Sequence, residues 1–186
     1  DFGNRHHEGQ KRRSGKPYFS HCIAVAQTLA SWKMDITTVM GGLLHDTVED
    51  TDATIKMLRQ EFGDDLANLV DGVTKVGGIK FSSRKEKQAG NFMKMLLSVA
   101  KDLRVIIIKF ADRIHNMETI KHMPKIKQHR IAVETRDVYV PLAHRLGMST
   151  VKAQLEDLAF SVLDPSGFKT LDGKIKSTKK HRKKFI

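Results

Sequence analysis

The chain has 186 residues, of which 40% are hydrophobic, and this suits one domain of ordinary size with a single core. Its net charge is +12, and its single cysteine, Cys22, excludes an internal disulfide and favours a reducing compartment such as the cytoplasm. No signal peptide or run of 18 apolar residues occurs, so the sequence predicts no membrane span, and we interpret it as a segment of a longer protein.

The positive charge is concentrated at the end of the sequence. Residues 167–186 contain eight Lys or Arg residues and one acidic residue. We interpret this tail as a solvated linker, because runs of charge usually face water, and a nucleic-acid arm is the alternative. Phe185 has no aromatic neighbour with which to stack on bases, so we expect no direct contact with nucleic acid. The positive charge on the rest of the chain suits a polyanionic small molecule.

The first half of the sequence predicts successive helices, because apolar residues recur at spacings of three and four. Asp35 and Asp52 are expected N-caps, and Gly63 is expected to separate two helices. The apolar patterns cover Ile23–Ala30, Val39–Val48, Ile55–Phe62 and Leu66–Val73.

The second half continues this pattern after a loop predicted over Val76–Arg84. Leu103–Ile108 is rich in β-branched residues, but no partner strand is visible, so we expect a buried helix. Pro141 is expected to end or kink a helix that starts at Ile126 and reaches about Val140. The other predicted helices are Lys85–Ala100 and Val151–Leu163, the second of which stops at Asp164-Pro165. The expected fold class is therefore all-α.

The stretch His45-Asp46-Thr47-Val48-Glu49-Asp50 concentrates groups that can bind a metal. On a continuous helix, His45 and Glu49 lie four residues apart, and so do Asp46 and Asp50. Three carboxylates this close repel one another unless a cation or protons compensate. Acidic residues are also disfavoured at a helix C-terminus, where the helix dipole is negative. A divalent metal site is one interpretation, and a solvated last turn of a helix is the other.

Two residues elsewhere in the sequence extend this candidate site. Asp112 directly follows the most apolar run of the chain, and a buried carboxylate there needs a partner. His21 lies at the start of an apolar helix. An ion pair with Arg113 and a core histidine are the alternatives for these two residues. Together with His45 and Asp46 they make a mixed nitrogen and oxygen set that suits Mn²⁺, Fe²⁺ or Zn²⁺.

The order His, His-Asp, Asp resembles the signature of the HD phosphohydrolase superfamily, and longer stretches resemble the hydrolase domain of the RelA/SpoT family. Gly9–His21 resembles the opening motif of that domain, and His45–Asp50 resembles its His-Asp-x-x-Glu-Asp motif. The resemblance spans roughly residues 5–165 and also includes Ala111–Thr119, Tyr139–Gly147 and Leu155–Leu158.

This resemblance implies a single compact all-α HD domain over residues 1–165, with residues 166–186 as a basic connector. It implies a Mn²⁺ ion held by His21, His45, Asp46 and Asp112, with Glu49 and Asp50 as the catalytic acidic pair. It implies that Arg12 stacks on guanine. The other implied nucleotide-binding residues are Arg13, Ser14, Asn116 and Thr119.

The implied reaction is removal of the 3′-pyrophosphate from guanosine tetra- or pentaphosphate, which are alarmone nucleotides. The implied partner domains are a synthetase domain and regulatory domains of the parent chain. Two alternatives stay open. One is an HD phosphatase for another nucleotide, such as NADPH or a deoxynucleoside triphosphate. The other is a regulatory or ribosome-associated module without turnover.

Overall fold

A computed structural model of the chain describes residues 1–74 and 84–182. The regular structure of these residues is helical, apart from an isolated antiparallel bridge between Lys11 and Pro17. The all-α prediction is confirmed. The chain divides into two compact units, Asp1–His115 and Asn116–Ile186. The division expected at residue 165 stays a prediction. None of the helices in the described ranges combines the length and the apolar character needed to span a bilayer.

The described helices that start in the first unit are α1 (Phe2–His6), α2 (Phe19–Ser31), α3 (Ile36–Leu44), α4 (Thr47–Asp50), α5 (Ile55–Phe62), α6 (Asp64–Val73), α7 (Arg84–Lys101) and α8 (Arg104–Glu118). The β-branched run at the start of α8 forms a buried helix, as predicted. The predicted loop at 76–84 falls outside the described residues except for Arg84, which begins α7.

The main core of the first unit forms where α2, α6 and α8 pack together. Leu29 of α2, Leu69 of α6 and Ile108 of α8 are almost fully buried in one apolar cluster. Helix α3 packs closely on this cluster because it carries two glycines. A Cβ atom on Gly41 would lie 2.8 Å from Ile108 Cδ1, and one on Gly42 would overlap Leu29 Cδ1. The close contact of α3 with α2 and α8 positions the C-terminal end of α3, which the first residues of the candidate site follow.

Side-chain caps and a glycine determine where helices of the first unit begin and end, and one predicted cap is wrong. The Asp35 carboxylate accepts a hydrogen bond from Thr38 N at 3.0 Å, so Asp35 caps α3 as expected. Asp52 is not the N-cap of α5. That position belongs to Thr54, whose extended backbone lets its hydroxyl oxygen accept from Met57 N at 3.2 Å. Gly63, with φ 87°, separates α5 from α6 as predicted.

The described helices of the second unit are a 3₁₀ turn at Ile120–His122, α9 (Lys125–Glu134), a π-helical turn at Thr135–Tyr139, α10 (Val140–Arg145), α11 (Ser149–Leu163) and α12 (Pro165–Arg182). Pro141 lies in the first turn of α10. A proline lacks the N–H for a helical hydrogen bond, and the wider turn before it accommodates that loss. Asp164 ends α11, and its carboxylate then accepts from Gly167 N at 2.9 Å to cap α12.

Candidate metal centre

Four side chains predicted as metal ligands converge in the first unit. His21 lies in the first turn of α2, His45 directly follows α3, Asp46 directly precedes α4, and Asp112 lies in α8. His21 Nε2 is 3.1 Å from Asp112 Oδ1 and 3.6 Å from Asp46 Oδ2. His45 Nε2 is 3.2 Å from Asp46 Oδ2 and 3.7 Å from Asp112 Oδ1. Residues 91 positions apart in the sequence thus face one point.

The donor atoms of this cluster fit a metal ion. The ligand atoms of His21, His45 and Asp46 lie within 4.8 Å of one another. Both imidazole rings are buried, and each Nε2 atom lacks a partner with hydrogen-bond geometry among the described residues. Buried polar atoms normally have partners, so two such nitrogens facing two carboxylates indicate a cation-binding site. Two nitrogens and two oxygens form a set that a borderline divalent ion accepts.

The orientation of each imidazole is set from behind. His45 Nδ1 lies 2.8 Å from the carbonyl oxygen of Gly42. A carbonyl oxygen can only accept, so Nδ1 carries the proton and Nε2 presents a lone pair to the cluster. Such a hydrogen bond behind the ring is the usual support of a metal-binding histidine.

His21 is supported in the same way by a residue that the sequence reasoning did not select. His21 Nδ1 lies 2.6 Å from His115 Nδ1, and His115 follows Asp112 by one helical turn of α8. Burial, together with the neighbouring side chains of His21 and Arg12, lowers the pKa of His115 to about 4. A neutral His115 accepts the proton of His21 Nδ1 and leaves His21 Nε2 as a lone-pair donor.

The charges in the cluster call for a cation. Burial lowers the pKa of His45, but the adjacent carboxylates of Asp46 and Asp112 outweigh it and raise the value to about 10. Burial raises the pKa of both carboxyl groups, and the two histidines more than offset that effect, so both values fall below the ordinary range. Two ionised carboxylates this close together are stabilised by a positive charge, which a bound cation would supply.

The acidic pair does not lie where the sequence placed it. Glu49 and Asp50 were expected on the same helix as His45, but α3 ends at Leu44 and α4 begins at Thr47. The chain turns at Asp46, where φ is −99° and ψ is −8°. Glu49 is half-buried and Asp50 is exposed, and both lie in the four-residue helix α4 rather than at the end of a long one.

Tyr18 connects Asp50 to the cluster. Its hydroxyl lies 2.8 Å from Asp46 Oδ2 and 2.6 Å from Asp50 Oδ2. Burial, together with the charges and hydrogen bonds of these carboxylates, raises the pKa of Tyr18 well above its usual value. The phenol therefore stays protonated and acts as a donor. Sequence reasoning had included Tyr18 only as part of a motif.

The predicted nucleotide-binding residues fall in two places. Arg12, Arg13 and Ser14 lie in a tight loop that Arg12 N closes by donating to Lys16 O at 2.9 Å. Arg12 is half-buried, with its guanidinium carbon 5.5 Å from the centre of the Tyr18 ring, whereas Arg13 and Ser14 are exposed. The remaining two, Asn116 and Thr119, belong to the second unit, where the Thr119 hydroxyl donates to Asn116 O at 3.5 Å.

Two curated relatives match nearly the whole chain. A protein of Myxococcus xanthus named GTP pyrophosphokinase is 50% identical over 183 residues, covering 97% of this chain and 24% of that protein. SpoT of Escherichia coli K12, named a bifunctional (p)ppGpp synthase/hydrolase, is 47% identical over 180 residues, covering 97% of this chain and 26% of that protein. These identities confirm the resemblance to RelA/SpoT proteins, and the chain spans about a quarter of the length of these relatives.

A solved structure has a similar fold. It is that of a metazoan ortholog of SpoT, described as hydrolysing ppGpp, with a TM-score of 0.61 at 24% identity, covering 84% of this chain and 89% of that one. At this identity the likeness concerns the fold alone. The HD domain family matches residues 1–149, and the chain belongs to that family.

Proposed function

We propose that the chain is a metal-dependent hydrolase that removes the 3′-pyrophosphate from guanosine tetra- or pentaphosphate. One observation carries the proposal: the Nε2 atoms of two buried histidines converge with two carboxylates, 3.1 to 3.7 Å apart. A buried cluster of this kind is suited to a cation and unsuited to a purely structural role, because buried polar atoms without partners destabilise a fold.

We assign the metal to His21, His45, Asp46 and Asp112, with Mn²⁺ as the proposed ion. A divalent ion bound by these groups would neutralise phosphate charge and lower the pKa of a water molecule at the site. The mixed donor set also suits Fe²⁺ and Zn²⁺, and turnover of metal-free protein reconstituted with each ion distinguishes the three metals.

We assign Glu49 and Asp50 to proton transfer from the attacking water. Water attacks the phosphorus next to the ribose 3′ oxygen, and the bond between that phosphorus and O3′ breaks. The electron pair goes to O3′, which takes up a proton, and pyrophosphate leaves. The tetraphosphate thus yields GDP and the pentaphosphate yields GTP. A carboxylate within hydrogen-bond reach of the water typically accelerates such a step by about 10²–10⁴-fold.

The substrate assignment rests on the relatives and on the basic loop beside the cluster. The E. coli relative is named a (p)ppGpp synthase/hydrolase. We propose that Arg12 stacks on the guanine, because a planar guanidinium can cover a purine while its charge faces phosphate. The other residues that we assign to the nucleotide pocket are Arg13, Ser14, Asn116 and Thr119.

The matched relatives are about four times as long as this chain. We therefore propose that the parent protein carries synthetase and regulatory domains, and that residues 166–186 connect to them. The described part of this segment is the helix α12, whose Phe168 ring lies 5.8 Å from that of Phe160 in α11. We propose a cytoplasmic protein, because its single cysteine is free and buried, which suits a reducing compartment.

Product identification tests the proposal. The chain is incubated with guanosine tetraphosphate and Mn²⁺, and the products are separated by anion exchange and identified by phosphorus NMR. We expect GDP and pyrophosphate in equal amounts, and no reaction in the presence of a chelator. NADPH and a deoxynucleoside triphosphate serve as competing substrates.

A matched pair of variants makes the test specific. His45→Gln removes one proposed ligand, and His129→Gln removes an exposed histidine of the second unit. We expect turnover to be lost in the first variant and kept in the second. Faster release of phosphate from NADPH would favour the other HD phosphatase. Metal binding without cleavage of any nucleotide would favour a regulatory module.

A further inference from the structure

We propose that Tyr18 is a positioning residue that holds the Asp50 carboxylate against the metal centre. The inference rests on the proposed function, within which Asp50 accepts a proton. Tyr18 is the N-cap of α2 and Asp50 ends α4, so the contact joins the start of one helix to the end of another. The hydroxyl oxygen lies 2.6 Å from Asp50 Oδ2 and 2.8 Å from Asp46 Oδ2.

Asp46, the second acceptor of the Tyr18 hydroxyl, links Tyr18 to the metal cluster. Asp46 Oδ2 is also the carboxylate oxygen that faces the Nε2 atoms of both histidines, at 3.2 and 3.6 Å. A phenol has one proton, so it cannot satisfy two carboxylates at once. A cation held by the cluster would weaken Asp46 as an acceptor and would leave the proton of Tyr18 to Asp50. Tyr18 therefore holds Asp50 most firmly when the centre is loaded.

Asp50 needs such a contact because it lies at an unfavourable place for a base. Asp50 is exposed, and it is the last residue of the four-residue helix α4. An exposed side chain samples several rotamers, and a misplaced reacting group costs rate even when the fold is intact. A hydrogen bond from a half-buried phenol selects the rotamer that faces the cluster.

Tyr18 is itself held in place. The ring of His7 stacks on it, with centroids 4.8 Å apart and planes at 11°. His7 Nδ1 lies 2.9 Å from Gln10 Oε1, and Gln10 Nε2 donates to the main-chain oxygen of Asp50 at 2.7 Å. Tyr18 N donates to Gln10 O at 2.9 Å, and this hydrogen bond closes the loop between Gln10 and Tyr18. Gln10 at one end of this loop thus binds the backbone of Asp50, and Tyr18 at the other end binds its carboxylate.

The experiment combines Tyr18→Phe and Asp50→Asn singly and together in the full chain, with kcat, KM and Mn²⁺ affinity as readouts. We expect Tyr18→Phe to lower kcat by about 10- to 100-fold, the range for loss of a hydrogen bond to a charged group. KM and Mn²⁺ affinity should change by less than about threefold, because the ligands and the nucleotide loop remain. The double variant should be no slower than Asp50→Asn alone, since Tyr18 acts through Asp50.

Tyr139→Phe is the matched control, because it removes the hydroxyl of the chain's other tyrosine, in the second unit, and should leave kcat unchanged. Unchanged kcat in Tyr18→Phe, or losses that multiply in the double variant, would overturn the inference. A readout independent of turnover separates it from the proposed function. The effects of the two substitutions on Tm of the Mn²⁺-loaded chain should be non-additive if Tyr18 contacts Asp50. Additive effects overturn the contact, whereas absence of turnover in the unmodified chain overturns the proposed function.

Discussion

Replacing Asp112 by Asn should remove most of the stabilisation that Mn²⁺ gives to the folded chain. The substitution keeps the size of the side chain and removes its charge. Asp112 Oδ1 lies 3.1 Å from His21 Nε2, and the side chain is 18% exposed, so little water can replace the lost ligand. The uncharged amide oxygen of asparagine binds a divalent ion much more weakly than a carboxylate does.

The size of the effect follows from linkage. A ligand present at 100 times its Kd stabilises the folded state by about 2.7 kcal/mol. For a chain of 186 residues, 1 kcal/mol corresponds to about 2–4 °C in Tm, so Mn²⁺ should raise Tm by about 5–11 °C. If Asp112→Asn weakens binding about 100-fold, the same Mn²⁺ concentration adds only about 0.4 kcal/mol, or about 1–2 °C.

The assay is thermal unfolding of chelator-treated protein, with and without Mn²⁺. Comparing each variant with its own metal-free form cancels any effect of the substitution on the fold itself. Asp71→Asn is the control, since Asp71 is exposed and pairs with Lys94 at 3.4 Å, and it should keep the full shift. A full Mn²⁺ shift in Asp112→Asn, or no shift in the unmodified chain, would refute the ligand assignment.

Three further predictions concern the proton acceptors, the nucleotide loop and the fold. Glu49→Gln and Asp50→Asn should each keep the Mn²⁺-dependent rise in Tm while lowering kcat by roughly 10²-fold or more, measured under saturating substrate. Arg12→Ala should raise KM for guanosine tetraphosphate by about 5- to 150-fold, corresponding to about 1–3 kcal/mol of stacking, with an unchanged melting curve. Arg104→Gln should lower Tm at pH 7, because Arg104 pairs with Asp65 and Asp102 and lowers the pKa of both carboxyl groups. That stabilisation is present above the pKa of an unfolded aspartate, about 3.9, and is lost as pH falls through the lower folded values.

Each of these predictions has a contrary outcome. Loss of the Mn²⁺ shift in Glu49→Gln or Asp50→Asn would make that residue a ligand instead. An unchanged KM in Arg12→Ala would leave Arg12 as a surface charge. For Arg104→Gln, Tm is measured from pH 7 down to about pH 2.5, below the ordinary aspartate pKa. A difference from the unmodified chain that stays constant over this range would contradict the role of the ion pairs.

The helical fold and the largely buried position of Asp112, whose side chain is 18% exposed, could be predicted because both depend on local patterns. Apolar spacing predicted α5 at Ile55–Phe62 without error and α6 within two residues. The β-branched run before Asp112 had no partner strand in the sequence, which correctly indicated a buried helix. A carboxylate after such a run needs compensation, and the structure provides it through His21 and His45.

The break between α3 and α4 could not be predicted from the same pattern. The apolar spacing continues from Val39 to Val48, and its two glycines, Gly41 and Gly42, lie within α3 rather than at the break that follows Leu44. The backbone stays close to helical values at His45 and departs only slightly at Asp46. Such a small change in backbone angles cannot be recognised from the residue types, yet it ends α3 at Leu44 and leaves Glu49 and Asp50 in a separate short helix.

The residues that support the cluster were missed because their contacts are distant in sequence. His115 meets His21 across 94 positions, and Tyr18 meets Asp50 across 32. Periodicity reports which face of a helix is buried but not which distant side chain it meets. One signal was available for His115, since it lies one helical turn after Asp112 and therefore on the same face of α8.

We propose that a metal held by two histidines and two aspartates enables this chain to cleave an alarmone nucleotide. The most direct test of this proposal is a titration of metal-free protein with Mn²⁺, measuring bound metal and cleavage of guanosine tetraphosphate in the same samples. We expect pyrophosphate release to rise in proportion to bound metal and to reach its maximum at one ion per chain. Cleavage by the metal-free chain, or no cleavage at full occupancy, would contradict it.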